Sequence, residues 1–490
     1  MNPIVLIHGY SAESKQTTPA AIAGIYGDLP QRLRTQYPGE PIIEINLSRY
    51  ISLDDGVTIE DVADALDRIL KSDDFKHLLD GPFNVVIHST GALVIRAWLR
   101  RFRPEKPSLD RIVYLAGANL GSGWAHIGRG QMAKWARKVF QGGAERGLEV
   151  LSALELGSSS TLDLHLFFRG DRDLQGHGVR EAVMIGTQAD VAWYEMPIAY
   201  AKEDGSDGVI RASATNLNYN YVRYVATKEA RALDWDAIVE QEKHHLNRKG
   251  DRLNLYEVAD ESRPGKDRTV IPFAVVDQCA HSGKDMGIVS GSLPRDQVMR
   301  LIDIALTAKD WPAVVERFDE ETKATYEAAR NRKTPAFWKT WLDNGQSQYD
   351  RHAQVVFRLR DQFGRPVTHY DVFFDSVEGK IKTKSLPMRE LINDKHINGS
   401  DHNIIVFYLR VDKWDENTRD WASQIPATGG CYVEVTAVQP DTGEVKFLPF
   451  RMNFTVDQLM AWVQPHRTTI IDIEMYRIGS PDIYRLTRLP

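Results

Sequence analysis

The stretch Val85-Val86-Ile87-His88-Ser89-Thr90-Gly91-Ala92-Leu93-Val94-Ile95-Arg96-Ala97-Trp98-Leu99 joins an apolar run to an amphipathic segment through a short polar turn. It predicts a buried β-strand, a sharp turn at Ser89 and a helix that begins near Gly91. Such a turn exposes the serine hydroxyl and directs the next backbone N–H toward developing negative charge. It favours small residues two positions before and after the serine, which Gly91 satisfies and Ile87 does not. The stretch therefore predicts either a nucleophilic serine or a polar residue that ends a buried strand.

The surrounding sequence predicts a mostly parallel α/β sheet over residues 1–295. Short apolar segments alternate with amphipathic stretches, of which 20–36 and 58–79 have helical spacing. Parallel strands that are buried on both faces read as continuous Val/Ile/Leu runs. Most of the candidate strands follow this pattern: Ile4–Ile7, Pro41–Asn46, Phe83–His88, Arg111–Ala116, Glu181–Gly186 and Ile271–Val276.

Two insertions interrupt this alternation, and a different pattern follows it. Residues 120–180 begin with a Gly-rich run and continue as a helical segment, which predicts either a lid beside a pocket or an ordinary packed helical subdomain. Residues 216–270 form a further insertion in the same domain. Residues 296–350 predict a helical connection. From 351 to 490, short alternating segments between turn signals predict a β-sandwich accessory domain.

Composition and charge exclude several classes of protein. The 490 residues are 42% hydrophobic and 26% charged, as in a globular protein of two or three domains. A net charge of −6 gives no electrostatic basis for nucleic-acid binding. The two cysteines exclude a disulfide framework and a Cys-rich metal site. No cofactor and no metal site is predicted, although a Ca²⁺ ion held by scattered carboxylates is left open.

The N-terminus predicts where the protein is made. Residues 1–3 lead directly into an apolar strand, without the basic leader and longer apolar segment of a signal peptide. No apolar run approaches the roughly 20 residues that span a bilayer. A cytoplasmic protein is therefore expected, with secretion by a route that needs no cleaved signal left open.

A nucleophilic serine needs a base and a carboxylate, and the sequence offers candidates for both after Ser89. His281 follows the predicted strand Ile271–Val276, at the strand end where open α/β sheets bind ligands. Asp207 lies among small turn-forming residues, and Asp190 is the second choice for the acid. The ordinary alternatives are a solvated loop histidine and a turn aspartate.

The other histidines are interpreted differently. His8 ends the first strand ahead of Gly9, where a bend can turn a backbone N–H toward the neighbouring strand end. His88 should point away from the serine hydroxyl and support the site. His244 and His245 lie in a charged helical segment and are expected to be solvated.

With these residues in place, the chain resembles serine lipases and esterases of the α/β-hydrolase superfamily, in particular bacterial triacylglycerol-lipase-like and GPI-inositol-deacylase-like proteins. The order Ser89, Asp207, His281 is that of α/β-hydrolases and differs from the orders in chymotrypsin and subtilisin. The resemblance covers residues 1–295 and says nothing about the C-terminal third. The segments that carry it are Val5–Tyr10, Val86–Val94, Tyr114–Ser122, Asp207–Ile210 and His281–Gly283.

The resemblance implies a role for each matching residue. Ser89 would be the nucleophile, His281 the general base and acid, and Asp207 the residue that orients the histidine. The backbone N–H groups of Tyr10 and Thr90 would form the oxyanion hole. Residues expected to support the site are His8, Gly9, His88 and Gly91.

These roles favour an ester hydrolase that acts through an acyl-serine intermediate. The lid-like insertion and the aromatic residues between 124 and 200 favour a hydrophobic ester or lipid as substrate, with a phospholipid left open. The β-sandwich could then contact a membrane surface or a protein partner that the sequence does not identify. Two alternatives stay open: a weakened hydrolase scaffold that serves as an interaction protein, motivated by Ile87, and an antibacterial lipase toxin delivered by a secretion machine.

Overall fold

The computed structural model describes residues 1–8, 26–47, 50–51, 56–103, 108–123, 148–188, 203–246, 255–332, 345–376, 387–440 and 445–479. The chain divides into two compact units. Unit 1 contains Met1–Asn218, Pro264–His352 and Lys413–Ala422. Unit 2 contains Tyr219–Arg263, Ala353–Asp412 and Ser423–Pro490.

The strands in chain order are β1 (Ile4–His8), β2 (Ile42–Asn46), β3 (Phe83–His88), β4 (Leu109–Leu115), β5 (Arg180–Gly186), β6 (Asn220–Ala226), β7 (Tyr256–Ser262), β8 (Phe273–Val276), β9 (Arg351–Asp361), β10 (Tyr370–Asp375), β11 (Ile392–Ile397), β12 (Ile404–Asp415), β13 (Asp420–Ser423), β14 (Cys431–Ala437), β15 (Val445–Phe447), β16 (Phe450–Phe454), β17 (Thr468–Met475) and β18 (Arg477–Gly479). The helices are α1 (Leu29–Gln36), α2 (Ile59–Leu70), α3 (Gly91–Phe102), α4 (Leu148–Ala153), α5 (Ser159–Phe167), α6 (Ala212–Thr215), α7 (Lys228–Arg231), α8 (Trp235–Leu246), α9 (Arg295–Thr307), α10 (Trp311–Asn331) and α11 (Val456–Trp462). Within the described ranges, no helix combines the length and apolar character needed to cross a bilayer.

Unit 1 is built on a six-stranded parallel sheet with the order β2-β1-β3-β4-β5-β8. Each of the six predicted strands overlaps one of these strands. Val85, Val86 and Ile87 are consecutive and fully buried, which means that both faces of β3 are covered. The structure thus confirms the predicted α/β class.

Helices α2 and α3 pack against each other beside this sheet. The first begins at a capping box, in which the side chains of Thr58 and Asp61 accept hydrogen bonds from each other's backbone N–H groups. Nine consecutive residues of α3, 91–99, are buried. The helix that follows Ser89 therefore lies inside unit 1, and its packing fixes the position of the preceding turn.

The outer edge of β8 is closed by side chains of α10. The hydroxyl of Thr322 accepts a hydrogen bond of 3.0 Å from the Val275 N–H. The hydroxyl of Thr325 donates a bond of 2.8 Å to the Val275 carbonyl. Both backbone groups that an edge strand leaves unpaired at Val275 are therefore satisfied within unit 1.

The described part of the insertion at 120–180 is a packed helical region. Helix α5 contacts α3, and Leu162, Leu164 and His165 on α5 are buried. In the described part of this segment, the helices are packed against the rest of unit 1. Residues 124–147, where the predicted lid helix begins, lie outside the described residues.

Unit 2 contains two main β-sheets and a shorter strand pair. One sheet has the order β11-β12-β9-β17-β6-β7; the second has the order β10-β14-β16, and β15 pairs with β18. Side chains from both main sheets fill one hydrophobic core, which makes the arrangement a β-sandwich. Members of this core include Val222, Val355, Phe357, Phe374, Phe407, Val433 and Phe450.

Strands β6 and β7 come from the segment 216–270, which the sequence assigned to the catalytic domain as an insertion. The structure differs there, because Tyr219–Arg263 belongs to unit 2. Strand β6 pairs in parallel with β17, with Val222 opposite Ile471. Val222, Tyr224 and Ala226 alternate along β6 and belong to the core of the sandwich.

Candidate active site

Ser89 lies in a strained turn between β3 and α3. Its φ angle is +53°, in the left-handed region that residues other than glycine rarely adopt. This conformation costs about 1–2 kcal/mol. The turn is tied to β4 and the loop that follows it: the Ser89 N–H donates to Leu115 at 3.2 Å, and the Ser89 carbonyl accepts from the Ala118 N–H at 3.1 Å. The sequence predicted this turn, and the structure contains it.

Ile87 does not prevent the turn. A Cβ atom placed on Gly91 would lie 3.5 Å from the Ile87 Cβ atom, which is an ordinary van der Waals contact. The isoleucine is fully buried and the helix begins at Gly91. The two sides of the turn therefore meet without a steric clash, and a Cβ atom at position 91 would also fit beside Ile87.

His281 joins Ser89 to Asp207. Its Nε2 atom is 3.1 Å from the Ser89 Oγ atom, and its Nδ1 atom is 2.8 Å from Asp207 Oδ2. Both distances are within the range at which a base can take a proton from a nucleophile and be oriented by a carboxylate. The structure thus brings together the three residues that the sequence singled out, and each of them is buried.

The Asp207 carboxylate is held by a tight turn. Its Oδ1 atom accepts hydrogen bonds from the backbone N–H groups of Val209 at 2.9 Å and Ile210 at 2.7 Å. Gly208, between Asp207 and Val209, has a φ angle of +89°, which favours glycine at this position. The His281 N–H also donates to the Asp207 carbonyl at 2.9 Å. Both carboxylate oxygens are therefore fixed, and Oδ2 is directed at the imidazole.

The first residue after Ser89 offers a free backbone donor. Among the described residues, no acceptor lies within hydrogen-bonding distance of the Thr90 N–H. It precedes the first turn of α3, where the helix dipole favours negative charge. His8 ends β1, but its side chain, Gly9 and Tyr10 lie outside the described residues.

His88 contacts the catalytic candidate His281 rather than Ser89. The two imidazole rings have their centroids 4.6 Å apart and planes inclined by 38°. The Nε2 atom of His88 is 3.1 Å from the backbone carbonyl oxygen of His281. The expected supporting position of His88 is consistent with this geometry.

Tyr26 is a site-supporting residue that the sequence did not indicate. Its buried hydroxyl donates to the Ile7 carbonyl at 2.7 Å and accepts from the backbone N–H of His88. In the β1–β3 register, where Ile7 lies opposite Ile87, this hydroxyl replaces a ladder bond between the two strand ends. Burial raises the pKa of Tyr26, so the phenol stays protonated. No local pattern could have indicated it, because the contact is tertiary.

Cys279 lies two residues before His281 but is not a nucleophile candidate. Burial, with a further contribution from Asp207, raises the pKa of its thiol well above the ordinary value. Its backbone carbonyl approaches Gly186 so closely that a Cβ atom there would be 1.8 Å from the oxygen. Gly186 is thus required for the His281 loop to lie against the end of β5, and the sequence analysis did not single it out.

The loop after β4 connects the serine turn to the acid turn. Asn119 Nδ2 donates to the Thr215 carbonyl at 2.6 Å, and Ser122 Oγ donates to the Val209 carbonyl at 2.6 Å. The segment Tyr114–Ser122 therefore lies beside both the serine turn and the acid turn.

The other candidate acid and the side chains of the two histidines in the charged helical segment are not described by the structure. Asp190 lies outside the described residues, and so do the side chains of His244 and His245. Across the described ranges, no group of three or more His, Cys, Asp or Glu side chains is arranged to hold a metal ion.

Comparison with solved structures identifies the fold. Phospholipase PlaB from Legionella pneumophila is 23% identical, with a TM-score of 0.75, and the match covers 99% of this chain and 96% of that chain. The same phospholipase in complex with thio-NAD is 22% identical, with a TM-score of 0.75, and covers 100% and 98%. Bacillus licheniformis lipase BlEst2 matches only loosely, with 13% identity, a TM-score of 0.30 and coverage of 44% and 79%.

No protein-family model matches the sequence, and no curated protein matches it significantly. At these identities the comparison shows the fold alone. The chain has the α/β-hydrolase fold with a C-terminal β-rich domain, as the resemblance of its motifs implied.

Proposed function

We propose that this protein is a serine ester hydrolase that acts through an acyl-serine intermediate. The observation that carries the proposal is the hydrogen-bonded line from Ser89 Oγ through His281 to Asp207 Oδ2, at 3.1 and 2.8 Å. A solvated loop histidine or an ordinary turn aspartate would not produce this line. It also favours an active hydrolase over the weakened scaffold that Ile87 suggested.

The first half of the reaction forms the acyl-enzyme. Ser89 Oγ attacks the carbonyl carbon of the ester while His281 Nε2 takes the hydroxyl proton. Asp207 keeps the other proton on Nδ1 and stabilises the imidazolium. The Thr90 N–H donates to the oxyanion, and the expected second donor is the Tyr10 N–H. As the ester C–O bond breaks, His281 returns the proton to the leaving alcohol.

The second half releases the acid. Water enters in place of the alcohol, gives a proton to His281 Nε2 and attacks the acyl carbon. The bond to Ser89 Oγ then breaks, and His281 protonates the serine. No redox partner or metal ion takes part in these steps.

For the substrate, we propose a hydrophobic acyl ester of the phospholipid type. The support is the likeness over nearly the whole chain to a protein whose name states phospholipase activity. Peripheral contact of the protein with the lipid surface follows from the same proposal.

Labelling by a fluorophosphonate probe tests the nucleophile. Wild type should be labelled, Ser89→Ala should not, and His281→Ala should be labelled far more slowly because the serine has lost its base. Ser292→Ala, which changes an exposed serine, is the matched control and should be labelled like wild type. Labelling that persists in Ser89→Ala would contradict the assignment.

Fatty-acid release tests the substrate class. Wild type and Ser89→Ala are compared on phosphatidylcholine in mixed micelles, on an emulsified triacylglycerol and on a soluble short-chain ester. Release from phosphatidylcholine that requires Ser89 supports the proposal. Activity confined to the soluble ester would retain the hydrolase and overturn the lipid substrate.

A further inference from the structure

A strained residue lies at the start of the loop that carries His281. Strand β8 ends at Val276, and Gln278 follows with a φ angle of +46°, in the left-handed region that residues other than glycine rarely adopt. A residue keeps such a conformation only when the surrounding structure fixes it. Since His281 lies three residues further on, a change of φ at Gln278 would redirect the chain that leads to the imidazole.

Asp277, directly before Gln278, is held by side chains from elsewhere in unit 1. Arg332, the first residue after α10, donates from Nη2 to both carboxylate oxygens at 2.6 Å. The Tyr349 hydroxyl donates to Asp277 Oδ1 at 2.6 Å. The backbone N–H of Asp277 donates to the side-chain oxygen of Gln297 on α9 at 3.0 Å. Both the side chain and the backbone of Asp277 are therefore fixed.

The Tyr349 hydroxyl connects this carboxylate to the strained residue itself. It accepts a hydrogen bond from the Gln278 N–H at 3.4 Å and another from Arg332 Nη1 at 3.2 Å, while it donates its own proton to Asp277. A hydroxyl has one proton to donate and two lone pairs that accept, so these three contacts use its full capacity. Asp277, Arg332 and Tyr349 are called the anchor group below.

After Gln278, the loop is held by backbone hydrogen bonds of its own. The Cys279 carbonyl accepts from the Gln188 N–H at 3.2 Å, and the Ala280 N–H donates to the Met286 carbonyl at 2.8 Å. The anchor group thus fixes the chain before the strained residue, and these bonds fix it afterwards. The φ angle of Gln278 is therefore determined from both sides.

We propose that the anchor group consists of positioning residues, which hold Gln278 in its left-handed conformation and thereby keep His281 Nε2 within proton-transfer distance of Ser89. The group acts through the backbone of the loop. This inference rests on the proposed hydrolase function and extends it to residues outside the triad.

A glycine at position 278 separates this role from a contribution to stability alone, because glycine adopts a positive φ about as readily as a negative one. Arg332→Met, which removes the cation of the anchor group, is made in three backgrounds: native Gln278, Gln278→Gly and Gln278→Ala. The alanine background removes the glutamine side chain without relieving the strain. Arg330→Met is the matched control, since Arg330 lies two residues earlier and forms an ion pair of 2.6 Å with Asp420.

The ester kcat and KM, the fluorophosphonate labelling rate per active site and the melting temperature are measured for each protein. In the glutamine and alanine backgrounds, Arg332→Met should lower kcat and the labelling rate about 10-fold, with KM unchanged, because a small misplacement of the base slows proton transfer. In the glycine background, the same change should cost about 2-fold or less, because glycine keeps the positive φ without strain. Arg330→Met should leave kcat unchanged in all three backgrounds.

A contribution to stability alone gives a different result. Arg332→Met would then lower the melting temperature by a similar amount in every background and leave kcat per active site unchanged. If Arg332→Met does not fold, Tyr349→Phe takes its place in the same three backgrounds, since it removes the hydroxyl and keeps the ring.

The outcomes separate the two proposals. Wild type that is labelled at Ser89, together with a kcat loss that is equal in all three backgrounds or absent from all of them, would overturn the role of the anchor group and leave the hydrolase intact. Wild type that is not labelled at all would overturn both.

Discussion

Two of the buried carboxylates of unit 1 have opposite surroundings: Asp207 lies beside the carboxyl ends of the strands and Glu181 lies near the amino end of β5. The oxygens of Asp207 are met by two backbone N–H groups and by the imidazole of His281. One oxygen of Glu181 is met by the guanidinium of Arg96 and by the Tyr114 hydroxyl, the latter at 2.7 Å.

At the Glu181 cluster, burial shifts the pKa values of two side chains. Desolvation raises the pKa of Glu181 even though Arg96 opposes this shift. The pKa of the neighbouring His165 is well below its ordinary value, first because of burial and then because of Arg96. Arg96, Tyr114, His165 and Glu181 are all buried, and Arg96 and His165 lie on the packed helices α3 and α5.

The comparison of the Asp207 and Glu181 clusters shows how a proposed reacting carboxylate differs from a structural one. Both clusters combine a carboxylate with a basic side chain, and both are buried. Only the cluster at the carboxyl ends of the strands has a strained nucleophile turn and an unpaired backbone donor beside it. Position in the sheet, rather than charge or burial, predicts which cluster reacts.

The largest effect should come from Asp207→Asn. We expect kcat to fall about 10⁴-fold, because an amide does not enforce the tautomer that leaves Nε2 free to accept a proton. The fold should persist, since the Asn oxygen can still accept from Val209 and Ile210. Ester hydrolysis and thermal melting measure the two quantities, and Asp285→Asn, at an exposed carboxylate, is the control. An equal loss in Asp190→Asn, with Asp207→Asn active, would reverse the assignment.

Arg96→Met should have the next largest effect, and on stability alone. It leaves Glu181 buried without a cationic partner, so the free energy of unfolding at pH 8 should fall by about 3–5 kcal/mol. The kcat per active site should stay unchanged. Urea unfolding and active-site titration measure these quantities. The double variant Arg96→Met/Glu181→Met should recover most of the stability, and a loss of kcat per active site would break the comparison.

The stability of Arg96→Met should also depend on pH. Without the guanidinium, the native pKa of Glu181 rises further above the unfolded value of about 4.3. The native state then binds the proton more tightly, so the free energy of unfolding should increase as pH falls from 8 toward 5 and decrease as pH rises. Urea unfolding across this range tests the sign. The double variant lacks the carboxyl group and should show no such trend.

Tyr26→Phe should give the smallest effect. It sharpens the comparison, because the Tyr26 hydroxyl is neutral but lies at the carboxyl ends of the strands. Removing the hydroxyl takes the donor from the Ile7 carbonyl and the acceptor from the His88 N–H. The free energy of unfolding should therefore fall by about 1–3 kcal/mol. We expect kcat to fall about 10-fold as well, because Ser89 and His88 shift. Tyr37→Phe, which removes a hydroxyl bonded to Asp303 at 2.8 Å, should affect stability alone.

The serine turn could be predicted because its signals are local: an apolar run, a serine and a glycine within seven residues. The preference for a small residue two positions before the serine was misleading at Ile87. A motif specifies residue types, whereas the contact between positions 87 and 91 depends on where the isoleucine side chain points. The choice between Asp207 and Asp190 could not be made locally. The pairing of Asp207 with His281 spans 74 residues, and no short pattern encodes it.

The strands of unit 1 could be predicted for a similar reason, because continuous apolar runs such as β3 identify themselves. The partner of β6 could not. Asn220 of β6 lies opposite Thr469 of β17, far along the chain, and the alternating pattern of β6 fits any sheet with one buried face. The assignment of residues 219–263 to unit 2 thus depends on a pairing that only the folded chain reveals.

The two threonines of α10 have a consequence for the protein at high concentration. Because Thr322 and Thr325 occupy the N–H and carbonyl of Val275, the outer edge of β8 offers no template there for a strand from another molecule. Replacing both with valine would keep the shape of the helix but leave these two buried backbone groups of β8 without partners. Helix α10 and its two hydroxyls therefore together close this edge of the sheet to strand addition from another molecule.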